Sequence, residues 1–175
     1  MAQLHRQRTL IMKEKHTKAY MKTAHAFAEC STARRLQVGA IVVKDNMIIG
    51  CGYNGMPSGW DNNCENTIEE MEDNPWHDYT ALTESGWTFA YGKYSKLKSK
   101  PEVLHAEMNS LLKLAKSNGG GEGATMFITH SPCLDCAKGI YQAGIKEVYY
   151  ATEYRDTKGV DFLKQCDVEV RHMPE

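Results

Sequence analysis

The chain has 175 residues, 42% hydrophobic and 25% charged, with 21 Lys+Arg against 22 Asp+Glu and a formal charge of −1. That length holds one sizeable core and fits a single domain over 1–175 better than two, and the near-neutral balance argues against a platform that lives by attraction to nucleic acid or anionic lipid. No run approaches the roughly 18–20 apolar residues of a membrane span, and the N-terminal MAQLHRQRTLIMKEKH lacks the apolar stretch of a secretory signal, so the expectation is a cytoplasmic protein with six reduced cysteines.

Residues 1–16 read as an N-terminal arm. Charge is uneven there: residues 1–35 carry eight Lys/Arg and two acids, which is the pattern of a solvated helix face and terminus for most of these side chains. From Thr17 to Cys30 the apolar positions Tyr20, Ala24, Phe27 and Ala28 fall at helical spacing. Val38–Val43 and Met47–Gly52 are β-branched runs around Asp45 and Asn46, the signature of a β-hairpin.

Residues 53–101 are polar and punctuated by glycine and proline, with a lysine series at 93, 96, 98 and 100. A connection of this length is usually functional or carries structure that pattern reading misses. Residues 60–100 are read as an insertion within the domain, with Thr67–Asp73 as a helical candidate and Trp60, Trp76 and Trp87 packing it down or forming a subunit contact, packing being the favoured reading. Periodicity resumes at His105, where Met108, Leu111, Leu112 and Ala115 make a helix stripe stopped by Asn118 and the following glycines. Ala124–Thr129 reads as a strand, Pro132–Ala143 as a helix, Glu147–Ala151 as a strand, Val160–Gln165 as a helix and Val168–Arg171 as a short strand. A hairpin followed by alternating strands and helices implies a sheet between helix layers.

Three short elements carry the chemistry. His105-Ala106-Glu107 opens one helix, Pro132-Cys133-Leu134-Asp135-Cys136 opens the next, and a strand lies between. Proline is tolerated in a helix's first turn, which places Cys133 and Cys136 three apart at the positive end of the dipole, where thiolates are favoured. Two thiolates and one imidazole are three zinc ligands, the number that leaves a fourth position open for water. Glu107 is the candidate for moving protons between that water and a ring amine. A lone CxxC would be weak; HxE, then a strand, then PCxxC is the zinc deaminase signature.

With HAEMN at 105–109, GATMFIT at 123–129, SPCLDCAK at 131–138, QAGIKEVYYATEY at 142–154, VGAIVV at 38–43 and GYNGMPSG at 52–59, the chain resembles the deoxycytidylate (dCMP) deaminases of the cytidine deaminase superfamily, over roughly residues 17–172. The resemblance implies an α/β protein with a three-layer α/β/α cytidine deaminase-like fold, its mixed central sheet of about five strands beginning with a β-hairpin. It implies one catalytic Zn²⁺ per chain on His105, Cys133 and Cys136, with Glu107 as proton shuttle. It also implies substrate contacts from Arg35 to the phosphate, Asn54 to the sugar hydroxyl, and Ser131 and Tyr154 beside the nucleotide. An exposed surface charge is the alternative for Arg35, and a core or rim position for Tyr154.

Family members are commonly hexamers activated by dCTP and inhibited by dTTP, so the resemblance implies a homohexamer with these effectors, with which Mg²⁺ could travel. Gly55, Gly59 and Glu65 are the effector candidates. One departure is informative. Many microbial and phage relatives hold a second, structural zinc through a Cys two residues before the phosphate Arg and another after GYNG; here those positions are Ala33 and Asn63. Cys64 is one residue out of register, and Cys30 and His77 are the remaining substitutes, so one zinc per chain is expected. The rival readings are a tRNA or single-stranded DNA base deaminase with the same site, and a zinc-stabilised nucleotide-binding module without catalysis. Neutral charge counts against the first, and Glu107 against the second.

Overall fold

The computed structural model describes residues 12–117, 119–154 and 156–174. The N-terminal arm expected at 1–16 lies outside these residues up to position 11. Helix α1 (Glu14–Ala28) leads into the hairpin β1 (Gly39–Lys44) and β2 (Met47–Tyr53). Asp45 and Asn46 both have positive φ, 50° and 61°, the two-residue turn whose twist matches that of the strands. After the segment from 54 to 104 come α3 (Ala106–Ala115), β6 (Thr125–His130), α4 (Leu134–Gln142), β7 (Glu147–Thr152), α5 (Lys158–Gln165) and β8 (Glu169–His172).

The main sheet has the order β2-β1-β6-β7-β8, with β1 antiparallel to both neighbours and β6, β7 and β8 parallel. Alternation along each strand divides the core. Ile41, Val43, Phe127, Tyr149 and Ala151 point to the α1 face with Met21 and Ala24. Ala40, Val42, Met126, Ile128 and Val148 point to the other face, where Leu111, Leu114, Ile140 and Leu163 come from α3, α4 and α5. The result is the expected three-layer α/β/α arrangement with a five-stranded mixed sheet. Among the described residues no helix is long and apolar enough to cross a membrane.

The insertion differs from its sequence reading. It forms a second, antiparallel sheet of order β3-β5-β4, made by β3 (Glu65–Glu72), β4 (Trp87–Ala90) and β5 (Lys93–Ser99), with the short helix α2 (Tyr79–Glu84) between β3 and β4. Thr67–Glu72 is therefore strand, not helix. Its glutamates suggest helix in isolation, but here Glu72 pairs with Lys93 at 3.0 Å and Glu69 with Lys96 at 3.9 Å across the ladder. Of the tryptophans, Trp87 is half-buried with Lys96 over its ring, and the other two do not pack the insertion down. Trp60 and Trp76 are exposed, and Tyr94 is the buried aromatic, ringed by His77, Tyr79 and Phe89. The base of the insertion closes where Gly55 and Leu104 exchange two backbone hydrogen bonds, of 3.1 and 2.9 Å, one residue before His105.

Candidate active site

Two helix starts meet at the ends of the central strands. His105 is the N-cap of α3 and Cys133 the N-cap of α4, and neither side chain caps its own helix. Both side chains are therefore left free to face each other. Cys136 lies in the first turn of α4. Pro132 stands one residue before the cap, not inside the helix as its spacing suggests. His105 Nδ1 is 3.6 Å from Cys133 Sγ and 3.3 Å from Cys136 Sγ. The three donor atoms lie within 4.8 Å of one another and form the one group of three or more metal-ligating side chains among the described residues.

A tetrahedral zinc with Zn–S near 2.3 Å and Zn–N near 2.0 Å sets neighbouring ligand atoms about 3.5 Å apart, so this donor set fits the ion in kind and in spacing. Electrostatics agree. Hydrogen bonds from Cys136 and His105 hold the Cys133 thiol down to about 4. Cys136 faces that thiolate from a buried position and is pushed up, and the hydrogen bond to Cys133 raises His105. A cluster that shares protons in this way gives them up to a divalent cation on binding. Glu107, one residue into α3, is 4% exposed, and burial raises its carboxyl above the usual range.

Close packing sets the approach of these elements. A Cβ on Gly52 of β2 would stand 2.4 Å from the Ala106 carbonyl oxygen, and one on Gly159 of α5 would stand 2.0 Å from that of Pro132. Only a bare Cα lets β2 reach the start of α3, or α5 reach the turn that carries Cys133.

His105, Glu107 and Cys133 line a cavity of about 360 Å³ together with Arg35, Asn54, Ser131 and Tyr154. Seven of the eight expected catalytic, metal and substrate residues, Glu107 included, thus border one space, and Cys136 joins through the ligand cluster. Asn54 is locked in place: its Oδ1 accepts from the Val38 N–H at 2.8 Å and its Nδ2 donates to the Leu36 carbonyl at 2.8 Å. One lone pair and one N–H of the amide remain for a ligand. Ser131 Oγ accepts from the Tyr154 N–H at 2.7 Å, and the Arg35 guanidinium donates to Ser99 Oγ at 3.0 Å and lies 3.4 Å from the Tyr154 hydroxyl. His130 also lines the cavity, and burial lowers its pKa, favouring the neutral imidazole.

The proposed effector residues are elsewhere. Gly55 sits in the two-residue bridge to Leu104, Gly59 adopts φ 87°, and neither borders the cavity. Glu65 is 2% exposed and accepts the Arg34 and Arg35 backbone N–H groups at 3.2–3.3 Å, so its carboxylate is already engaged inside the protein. Cys30, Cys64 and His77 are not brought together: Cys64 Sγ lies 3.6 Å from Thr32 Oγ1, and His77 packs on Tyr94.

The sequence reading missed Lys98, Ser99 and Lys100, which reach the cavity from the end of the insertion. The lysine series was visible, but that its C-terminal end comes to the cavity depends on how the second sheet docks there.

A model of the cytidine and deoxycytidylate deaminase zinc-binding region matches residues 14–152. The deoxycytidylate deaminase of Enterobacteria phage T4 is 34% identical over 171 residues, covering 89% of this chain and 88% of that one. The human deoxycytidylate deaminase is 36% identical over 141 residues, covering 79% and 66%. Among solved structures, the dCMP deaminase of cyanophage S-TIM5, in complex with dCMP and dUMP, superposes with a TM-score of 0.74 at 44% identity, over 93% of this chain and 99% of that one.

Proposed function

The chain belongs to the cytidine and deoxycytidylate deaminase family, and from that membership we propose that it hydrolyses dCMP to dUMP and ammonia. One observation carries the reading: a buried carboxyl, Glu107, stands beside a converged His/Cys/Cys donor set on the wall of a cavity that also presents Arg35.

His105, Cys133 and Cys136 would hold a zinc ion, one per chain. Bound there, it supplies the Lewis acidity that makes water a nucleophile near neutral pH. Glu107 accepts a proton from the attacking water and returns protons to the ring nitrogen and the departing amine, so that dCMP and water leave as dUMP and ammonia. Burial suits it to this exchange, because a carboxyl raised toward the working pH can both take and give a proton. Asn54 holds the sugar hydroxyl with its unused amide valences, and Arg35 meets the phosphate as a forked donor. Ser131 keeps the Tyr154 segment against the cavity through the Tyr154 N–H.

The lysine series does not favour the nucleic-acid reading. Lys93 and Lys96 are paired with Glu72 and Glu69, which leaves no continuous basic track along β5. A purely structural zinc has no use for a buried proton shuttle.

Family membership further supports a homohexamer of single deaminase-type domains, activated by dCTP and inhibited by dTTP, with Mg²⁺ accompanying the triphosphates. The test is one assay: dCMP, dCTP, deoxycytidine and single-stranded DNA are each incubated with the protein and cytosine loss is followed, with Glu107→Ala as control. Turnover of dCMP upholds the reading, and its absence both with and without dCTP rejects it. Metal analysis finding two zinc ions per chain would reject the single site, and sedimentation reads the assembly.

A further inference from the structure

Resting on the dCMP reading of the site, we propose that the inserted sheet is this chain's phosphate-recognition device: Lys98 and Lys100 join Arg35 in binding the 5′-phosphate, and the cross-strand pair Glu65–Ser99 positions Arg35.

The lysines of β5 and its C-terminal end divide into two groups. Lys93 stands opposite Glu72 and Lys96 opposite Glu69, each within ion-pair distance of that glutamate. Lys98 stands opposite the neutral Asn66, and Lys100 follows the last residue of the strand. Neither is ion-paired to an acidic side chain among the described residues, and both line the cavity. Arg35 lines it as well. The one acidic side chain on the lining is Glu107, which lies with the metal-ligating group. Three cationic residues therefore border a space whose lining carries no carboxylate but Glu107, while the nearby Glu65 carboxylate is taken up by the Arg34 and Arg35 backbone N–H groups and by the Arg34 guanidinium at 3.7 Å. A phosphate monoester, carrying about −1.5 to −2 charges at neutral pH, is the ligand group that balances them.

The same sheet holds Arg35 at both ends. Glu65, the first residue of β3, accepts the Arg35 backbone N–H at 3.3 Å. Ser99, the last residue of β5 and the register partner of Glu65, accepts from the Arg35 guanidinium at 3.0 Å. One rung of the ladder thus fixes the backbone and the head of the same arginine. An insertion that packed only for stability would not need to bring two lysines without an acidic partner to the cavity and hold the arginine on the serine that separates them in sequence.

The experiment compares kcat/KM for dCMP with kcat/KM for deoxycytidine, which lacks the phosphate. Lys98→Ala and Lys100→Ala are each expected to raise KM for dCMP by roughly tenfold with little change in kcat, and to lower the ratio of the two specificities by a similar factor. Lys98→Arg keeps most of the ratio. Ser99→Ala and Glu65→Gln shift KM for dCMP in the same direction while sparing kcat, which general loosening of the fold would not do. Lys93→Ala, paired with Glu72 away from the cavity, leaves the ratio at the wild-type value. An unchanged ratio in the Lys98→Ala/Lys100→Ala double variant, or equal losses on both substrates, overturns the proposal. Wild-type protein that fails to turn over dCMP rejects the catalytic reading instead. Calorimetric binding of dCMP then reads the lysines directly: weakening of tenfold or more in the double variant upholds them, and unchanged affinity overturns them.

Discussion

Replacing Gly159 by alanine tests whether the metal-binding turn is held in place by α5. Gly159 is the second residue of α5, and its backbone has no positive φ, so the glycine is not there for a special conformation. In an open helix the change to alanine would stabilise by up to about 1 kcal/mol. Here the new Cβ would stand 2.0 Å from the Pro132 carbonyl oxygen and 2.8 Å from both the carbonyl carbon and oxygen of Cys133. Ordinary contact begins near 3.4 Å, so the Pro132–Cys133 turn or the start of α5 must retreat by about 1.4 Å. The obstacle is main chain, which no rotamer change can move aside.

Overpacking of this kind costs about 1–3 kcal/mol, which outweighs the propensity gain. For a chain of this size each kcal/mol lowers Tm by roughly 2–4 °C, so that cost corresponds to a fall of about 2–12 °C before the propensity gain is subtracted. The larger effect falls on the site. A shift near 1 Å at Cys133 disturbs the three-donor geometry, and a loss of about 10–100-fold in zinc affinity or activity follows. Calorimetric melting and zinc competition with a chromogenic chelator measure both, with Gly120→Ala as the control because nothing lies within 4 Å of a Cβ there. If Gly159→Ala melts at or above the wild-type temperature and holds zinc equally well, α5 does not brace the turn and the steric reasoning is wrong.

Glu107→Gln keeps size and burial but removes the proton shuttle; kcat for dCMP should fall by about 10²–10⁴-fold, with zinc content and dCMP affinity near wild type, and a fall of less than tenfold would remove Glu107 from the mechanism. Dialysis against a strong chelator should abolish turnover, and Zn²⁺ rather than Mg²⁺ should restore it; activity that survives complete removal of zinc would refute the ligand assignment. Asn54→Ala strips the Val38 N–H and the Leu36 carbonyl of their side-chain partners, so it should cost about 1–3 kcal/mol of stability and raise KM for dCMP together. A variant that keeps wild-type Tm would show that water replaces the amide at no cost.

What the sequence made legible follows from how local each feature is. The β1–β2 turn could be read because Asp45 and Asn46 are residues that tolerate the positive φ found at both positions. The central strands β1, β6 and β7 could be read because their apolar runs are buried on two faces. The metal ligands could be read because each motif is five residues or fewer and sits at a helix start, although Cys133 is a cap rather than a first-turn residue. β3 could not be read this way. ENTIEEME has no apolar alternation, and it becomes strand through cross-strand partners that lie more than twenty residues later in the chain.

The same distinction separates the two ends of the cavity. The reacting end rests on two helix starts joined by one strand, so its donors keep their positions through local backbone geometry. The end beside Arg35 rests on the register of an inserted sheet: a slip of one residue between β3 and β5 would part Glu65 from Ser99, the two groups that hold Arg35, and shift Lys98 away from Asn66. Changes in the insertion should therefore alter which nucleotide is accepted before they alter whether a cytosine can be deaminated. Changes at Gly159 or Gly52 should do the reverse, because they move the donors and Glu107 while leaving the β3–β5 ladder intact. Selectivity and chemistry in this chain hang on different contacts, and the pattern of loss on dCMP against deoxycytidine distinguishes which set a substitution has touched.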